Sequence, residues 1–328
     1  MTSATPFFSI GITTYNRREL LKQTLSSIAS QTFADFEAIV GNDYMHETLS
    51  SESLGIDDKR IRFINHPKNL GEMQNMNSLL EVSSGRYFTW LADDDLYAPA
   101  FLESVHSAIT AHGFPQAVFT SYTRNASDLY SGGNSTRNPS IMSGAQFLEK
   151  YFSRKVVIAG CYGVFDREHL KRIGGIEQLG NGFSPYSDNL LAIKAGLFER
   201  VALISDPLVF LRIHEGSVSA VSNDLEAYRT AQADYLEKSA EILSHETLRG
   251  SFKSNFLSLL RWCVSDFSGV ILRSGGSMDG QLALYFRFLK RNISYLKGSP
   301  GFWKAWAHAL LVLALGVTRA KLTKGSAK

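Results

Sequence analysis

Four short apolar runs alternate with helical patterns across the first 95 residues, and three of the runs end in polar clusters. Residues 7–12, with Phe8, Ile10 and Ile12, read as a buried strand broken by Thr13-Thr14-Tyr15-Asn16. Leu21, Leu25 and Ile28 then fall at i, i+4 and i+7, one face of a helix. Residues 36–40 form a second strand ending at Gly41-Asn42-Asp43, and residues 60–65 a third. Asn69-Leu70-Gly71 opens another helix, with Met73, Met76, Leu79 and Leu80 as its stripe and Gly85 expected to close it. Residues 87–91 are a fourth strand that runs into Ala92-Asp93-Asp94-Asp95. This alternation predicts an α/β fold with a mostly parallel sheet and helices on its faces. The polar clusters then sit at the carboxyl ends of strands, where open α/β sheets bind ligands.

Beyond this repeat, residues 131–140 read as a loop, 156–165 and 201–213 as strands, and 224–249 as helix. The rest is helical in pattern, with Gly/Ser breaks at 274–277 and 298–301 and no internal repeat. The chain is therefore expected to divide into an α/β domain over 1–220 and a helical region over 221–328. Cys161 and Cys263 supply neither a disulfide framework nor a metal-ligand spacing, and a cytoplasmic location is expected. Residues 1–6 lack the basic and apolar segments of a signal peptide.

Three adjacent carboxylates, Asp93 to Asp95, repel one another and call for a cation. A hard ion such as Mg²⁺ or Mn²⁺ takes one or two carboxylates plus phosphate oxygens. The alternative is a solvated turn that caps the segment after Pro99. Tyr15 is placed to stack on a base or to anchor its turn, and Asp43 to accept from a base N–H or to cap the next segment. Asp188 precedes the apolar Leu191, Ala192 and Ala195, and reads as a general base or as a first-turn acid of a helix. Arg212 and His214, at period-two spacing on one strand face, suit a diphosphate or a metal, or a structural role.

The order of these motifs resembles the family 2 glycosyltransferases of the GT-A (Rossmann-like) fold. The residues that carry the resemblance are Phe8 to Arg17, Ser26-Ser27-Ile28 with Gln31-Thr32, and the strand ending at Asp43. Asn69-Leu70-Gly71 with Asn77, and Gly85-Arg86-Tyr87 leading to the Asp triplet and Pro99, complete it. The resemblance covers about residues 7–220 and implies a catalytic domain over 1–220, with nucleotide-sugar binding in 1–120 and the acceptor side in 121–220. It implies inverting hexosyl or deoxyhexosyl transfer from a nucleotide-diphosphate sugar to a hydroxyl of a glycan, often lipid-linked, in O-antigen, capsule or other surface polysaccharide synthesis. It implies that Thr13, Tyr15, Asn16, Asp43 and Asp93 contact the nucleotide, and that Asp94, Asp95 and His214 hold a divalent metal. Arg212 would meet the donor phosphates and Asp188 would be the catalytic base. The sequence departs from the family in three places. Asn42 and Ala92 stand where acids are common, and Ser187 precedes Asp188 where Glu is frequent.

From Gly280 to Lys328 there are nine Lys/Arg and no Asp or Glu, while the remainder holds 25 basic and 31 acidic residues. Trp303, Trp306 and the apolar residues 309–317 precede the final basic cluster, and the run falls short of the roughly 20 residues of a spanning helix. Residues 302–318 are thus expected as a membrane-interface helix, peripheral at the inner face of the cytoplasmic membrane, or as a core helix. Three other functions compete. A nucleotidyltransferase would carry a Gly-rich basic loop where Thr13-Thr14-Tyr15-Asn16 stands. A non-catalytic nucleotide-sugar-binding protein would have no need of Asp94 and Asp188. A nucleic-acid-binding role fits the basic tail poorly, because its helix lacks the interleaved pattern, and no nucleic-acid partner is expected.

Overall fold

A computed structural model describes residues 5–131, 139–214, 224–274 and 279–292. The chain runs β1 (Phe8–Thr14), α1 (Arg18–Ala29), β2 (Phe36–Asn42), α2 (Ser51–Leu54), β3 (Ile61–Asn65), α3 (Glu72–Val82) and β4 (Tyr87–Ala92). It continues with β5 (Leu96–Tyr97), α4 (Phe101–Ala111), β6 (Ala117–Thr123), α5 (Ala126–Ser131), β7 (Ser140–Met142) and α6 (Gly144–Phe152). After a 3₁₀ turn at Gly160–Tyr162 come β8 (Val164–Asp166), α7 (Arg167–Arg172), α8 (Ser187–Lys194) and β9 (Val201–Phe210). Helices α9 (Leu225–Leu243), α10 (Phe252–Ser274) and α11 (Asp279–Arg291) follow.

The sheet has the order β3-β2-β1-β4-β8-β6-β9-β5, with β7 on the outside of β9. Strands β1 to β4 pair in parallel, as the alternating pattern predicts. β8 is antiparallel to both neighbours and joins this half to the parallel pair β6–β9. Register puts Thr14 opposite Asn42 and Thr13 opposite Ala92, so the three polar strand ends lie level along one edge.

Alternation along the strands divides the core. Phe8, Ile10, Ile12, Tyr87 and Leu91 pack with α1 and α4, whereas Phe88 and Trp90 join α3, α6 and α8 on the other face. This second cluster continues without a break into α9, α10 and α11, through Tyr235, Leu236, Phe256, Cys263 and Tyr285. At its centre Gln232 is fully buried. It donates to the Cys263 carbonyl, and its side-chain oxygen accepts from Gln281 and Tyr285 at 2.5 Å each. It also reaches the Tyr186 hydroxyl at 3.2 Å, so the helical region grips the residue that begins α8.

Several expectations need correction. Residues 156–165 are not one strand, because the chain turns at Gly160–Tyr162 to pack beneath α8 and only Val164–Asp166 pairs. β9 ends at Phe210, where the backbone turns away so that the Arg212 N–H meets Asp95 rather than a neighbouring strand. Gly85 does not end α3, which stops at Val82 with Ser83 extended. The glycine instead lets the chain press against β1, where a Cβ would fall 2.6 Å from Phe8 C and Ser9 N. The predicted helix over 224–249 is helical to Leu243 and then tightens into a 3₁₀ segment at Glu246–Ser251. α4, α6 and β6 lie outside the elements expected from the sequence, although α4 buries Phe101, Val105 and Ala108 at helical spacing. Residues 302–318 lie outside the described residues, among which no helix is long and apolar enough to cross a membrane.

The contact at Gly85 is with rigid backbone, so overpacking there cannot be relieved by a rotamer change. Gly85→Ala should lower the free energy of unfolding by about 1–3 kcal/mol in urea denaturation.

Candidate active site

The carboxyl edge of β1, β2 and β4 opens into a cavity of about 570 Å³. Its walls include Thr13, Tyr15, Asp43, Asp93, Asp94 and Asp95 on the sheet side. Asp188 and Arg212 line it from α8 and from the segment after β9. His214 reaches the same place through a 3.0 Å contact between its Nε2 and Asp94 Oδ2. Asn16 lies outside this lining. It is exposed and has φ of 54°, a left-handed turn position that Asn tolerates better than most residues.

The Asp triplet is buried, with exposures of 4%, 8% and 3%. α1 supports the turn from behind, since the Thr24 hydroxyl donates to the Asp95 carbonyl at 2.9 Å. Gln31 at the end of α1 donates to Ala98 O and accepts from Leu102 N, which fixes the chain as it leaves the triplet. Each carboxylate has different partners. Asp93 accepts from the Thr14 hydroxyl at 2.6 Å and from Arg17 at 3.2 Å. Asp94 accepts from Arg17 at 3.0 Å and faces His214. Asp95 accepts from the Tyr162 hydroxyl and from the Arg212 N–H at 2.7 Å.

Burial pushes Asp93 above the ordinary carboxylate range, against the pull of Thr14 and Arg17. It pushes Asp95 up to about 7, opposed by the Tyr162 bond and reinforced by the neighbouring Asp94 charge. A cation bound here would offset the charge that burial disfavours. The donors match a hard or borderline ion: an Asp94 oxygen and a His214 nitrogen converge, while both Asp95 oxygens already accept hydrogen bonds. Among the described residues no group of three or more His, Cys, Asp or Glu is arranged as a complete ligand set. An ion here would need phosphate oxygens or water to fill its shell.

At the end of β2, Asp43 holds the loop before α3, accepting from Leu70 N at 2.8 Å and Gly71 N at 2.9 Å. Tyr15 is 53% exposed and meets Tyr44 edge-on at 5.4 Å, leaving ring surface open at the cavity mouth. Asn42 has a structural reason to be an amide. It donates to Glu47 O and Asn65 Oδ1 and accepts from Tyr44 N, and a carboxylate could not make the two donations.

Asp188 sits in the first turn of α8, on the wall formed with Cys161 and Tyr162. It is partly open to the cavity yet ringed by protein atoms, and burial raises its pKa. Its Oδ1 accepts from Cys161 N at 2.5 Å. Ser187 beside it is buried and bonds Ser184 Oγ and the Glu177 carbonyl. Arg212 Nη2 reaches Gln23 at 3.0 Å, so it diverges from His214 once the strand has ended. Sequence reasoning passed over Arg17, Tyr162 and Cys161. Arg17 lies inside the first motif. Tyr162 and Cys161 come from an irregular segment with no periodic signal.

Residues 9–174 match the family described as glycosyl transferase family 2, and the chain belongs to it. An uncharacterized glycosyltransferase of Haemophilus influenzae is 35% identical over 102 residues, 30% of this chain and 32% of that protein. The GalNAc(5)-diNAcBac-PP-undecaprenol beta-1,3-glucosyltransferase of Campylobacter jejuni is 38% identical over 93 residues, 27% of this chain and 30% of that protein. The chain thus matches about a third of the length of these relatives. The crystal structure of S. aureus TarS 1-349 superposes with a TM-score of 0.63 at 15% identity, covering 96% of this chain and 91% of that one. The mannosyltransferase PcManGT from Pyrobaculum calidifontis, in complex with GDP-Man and Mn²⁺, gives 0.50 at 15% identity, covering 98% and 87%. The fold is GT-A, as expected from the motif order.

Arg17 touches both Asp93 and Asp94. Arg17→Met should lower the free energy of unfolding by about 1.5–3 kcal/mol at pH 8 without divalent ions, read by chemical denaturation.

Proposed function

We propose that this protein is an inverting glycosyltransferase that moves a sugar from a nucleotide-diphosphate sugar to a hydroxyl of a glycan acceptor, lipid-linked, in surface polysaccharide synthesis. One observation carries the reading: a single cavity holds the acidic strand end of β4 on one wall and Asp188 on another. The two chemical needs of the reaction, a place for the diphosphate and a base for the hydroxyl, thereby face one space.

Tyr15 offers an open ring to the base, and Thr13, Asp43 and Asp93 line the nucleoside end. Asp94 and His214 would hold a Mg²⁺ or Mn²⁺ ion, with Asp95 bracing the turn behind them. When bound, the ion neutralises charge on the diphosphate leaving group. Arg212 is directed to the donor phosphates from the segment after β9. Asp188 takes the proton of the acceptor hydroxyl as its oxygen attacks the anomeric carbon. The bond to the nucleoside diphosphate breaks on the opposite face, and the configuration inverts.

The printed names of relatives support the acceptor class. The Campylobacter protein is named for glucosyl transfer to a GalNAc(5)-diNAcBac-PP-undecaprenol, and WcaA of Escherichia coli K12, 29% identical over 96 residues, is a putative colanic acid biosynthesis glycosyl transferase. The TarS and PcManGT crystals contain UDP-GlcNAc, UDP or GDP-Man, which supports a nucleotide-sugar donor. The acid-free segment from Gly280 to Lys328 supports contact with an anionic membrane surface by the helical region. The domain division at residue 220 fits this scheme, with donor and acceptor walls before it and helices that brace α8 after it.

Asp188→Asn should lower kcat by about 10²–10⁴-fold while leaving nucleotide binding intact. A base must be ionised to act, so the rate should fall as pH drops through a pKa raised above the usual carboxylate range. A kcat profile flat down to pH 4 would remove Asp188 from that role. A melting screen of UDP- and GDP-sugars with Mn²⁺ should identify the donor by the largest rise in melting temperature. Proton NMR of the product from that donor should show the anomeric configuration opposite to the donor's.

A further inference from the structure

The 3₁₀ turn before β8 makes an unusually close approach to the residue proposed as base. Cys161 N donates to Asp188 Oδ1 at 2.5 Å, and the Gly160 N–H and the Cys161 thiol beside the same carboxylate favour its ionised form. Gly160 is what permits this. A Cβ there would lie 2.1 Å from Asp188 O, 2.8 Å from Asp188 Oδ1 and 3.1 Å from Ala192 N. The glycine is therefore required by space, in contact with helix backbone that cannot rotate away.

The turn is itself anchored. Its carbonyls at Ala159 and Gly160 accept from Tyr162 N and Gly163 N, and the Tyr162 hydroxyl bonds Asp95 at the other wall. We propose that Gly160 and Cys161 are positioning residues: together they form a cradle that aims the Asp188 carboxylate into the cavity and fixes its distance from the Asp93–Asp95 strand end. The proposal rests on Asp188 as the base. The role of Gly160 and Cys161 is exerted through Asp188, and Cys161 also lines the cavity.

The other ionisable groups facing Asp188 are Glu72 from the start of α3, Tyr151 from α6 and Tyr235 from α9. Glu72 is a second acid, itself raised by burial and by the aspartates around it, and the two tyrosines stay protonated because burial raises them. The cradle is thus what favours the ionised carboxylate against burial.

An infrared pH titration of the full-length protein tests this without substrate. The carboxylic C=O band absent from Asp188→Asn reports the protonation of Asp188. Its midpoint should rise by about one pH unit in Cys161→Ala, equivalent to ~1.4 kcal/mol, and return in Cys161→Ser, which restores a donor. Gly160→Ala should lower kcat by about tenfold or more, with KM for the donor within about twofold. The readout is UDP release from UDP-GlcNAc or GDP release from GDP-mannose. An unmoved midpoint in Cys161→Ala, or full turnover in a folded Gly160→Ala, overturns the cradle. If Gly160→Ala does not fold, the two Cys161 variants decide. Full turnover by Asp188→Asn would instead sink the base reading, and the titration would still judge the cradle.

Discussion

Asp93, Asp94 and Asp95 leave β4 in succession, and three like charges buried at one strand end set the terms for everything around them. Their mutual repulsion would open the turn unless each carboxylate had donors of its own. The structure supplies these from four separate elements: Thr14 from β1, Arg17 from the turn before α1, Tyr162 from the turn before β8, and Arg212 and His214 from the exit of β9. Because the partners are distant in sequence, satisfying the triplet also brings the ends of β1 and β4, the turn before β8 and the exit of β9 to one place. Burial still leaves Asp93 and Asp95 raised, so the hydrogen bonds only partly offset the cost. That remaining unfavourable term is what a bound cation would relieve.

The wall opposite is held by other means. α8 is short, and its first turn must point a carboxylate at a cavity. Tyr186 just before it stacks on Tyr235 and meets Gln232, both of α9, and bonds Asp266 of α10, so two helices beyond β9 fix the helix start. At its other end Lys194 is 5% exposed, ion-paired with Glu177 at 2.5 Å and donating to Ile173 O and Gly175 O. Burial opposes a charged lysine there, and the pair with Glu177 compensates. The segment it grips is bound in turn by Asn77 of α3, which donates to Ile176 O and accepts from Ile176 N. α8 is thus clamped at both ends, which limits the movement of the Asp188 side chain in its first turn.

What the sequence revealed follows from which interactions are local. The parallel β1–β4 unit was legible because strand and helix periods alternate in clean blocks, and Thr13, Asp43 and Asp93 then had to fall at equivalent strand ends. Phe8, Ile10 and Ile12 announce a buried face by composition alone. The segment over 156–165 misled for a physical reason. Val156, Val157 and Ile158 have strand propensity, but Gly160 and Gly163 allow a turn that packs under α8 and against Phe119, and that tertiary contact overrides propensity. Arg212 and His214 were assigned to the site from position, but their geometry was misread, because the strand stops at Phe210 where Asp95 captures the next backbone N–H. Arg17, Tyr162 and Cys161 had no periodic or compositional mark. Their roles exist only once distant strand ends are brought together.

The two walls also communicate. Asp95 bonds Tyr162, Tyr162 belongs to the turn that carries Gly160 and Cys161, and that turn bonds Asp188. The path from the acidic strand end to the residue proposed as base is therefore a chain of short hydrogen bonds through one 3₁₀ turn rather than a span across open cavity. In a displacement reaction the base must reach a hydroxyl while the leaving group is held at a fixed distance, and small misplacements are costly. Anchoring Asp188 to the acidic strand end through this turn ties their separation to backbone geometry, while Tyr15 and Phe183 to Pro185 line the cavity outside that linkage.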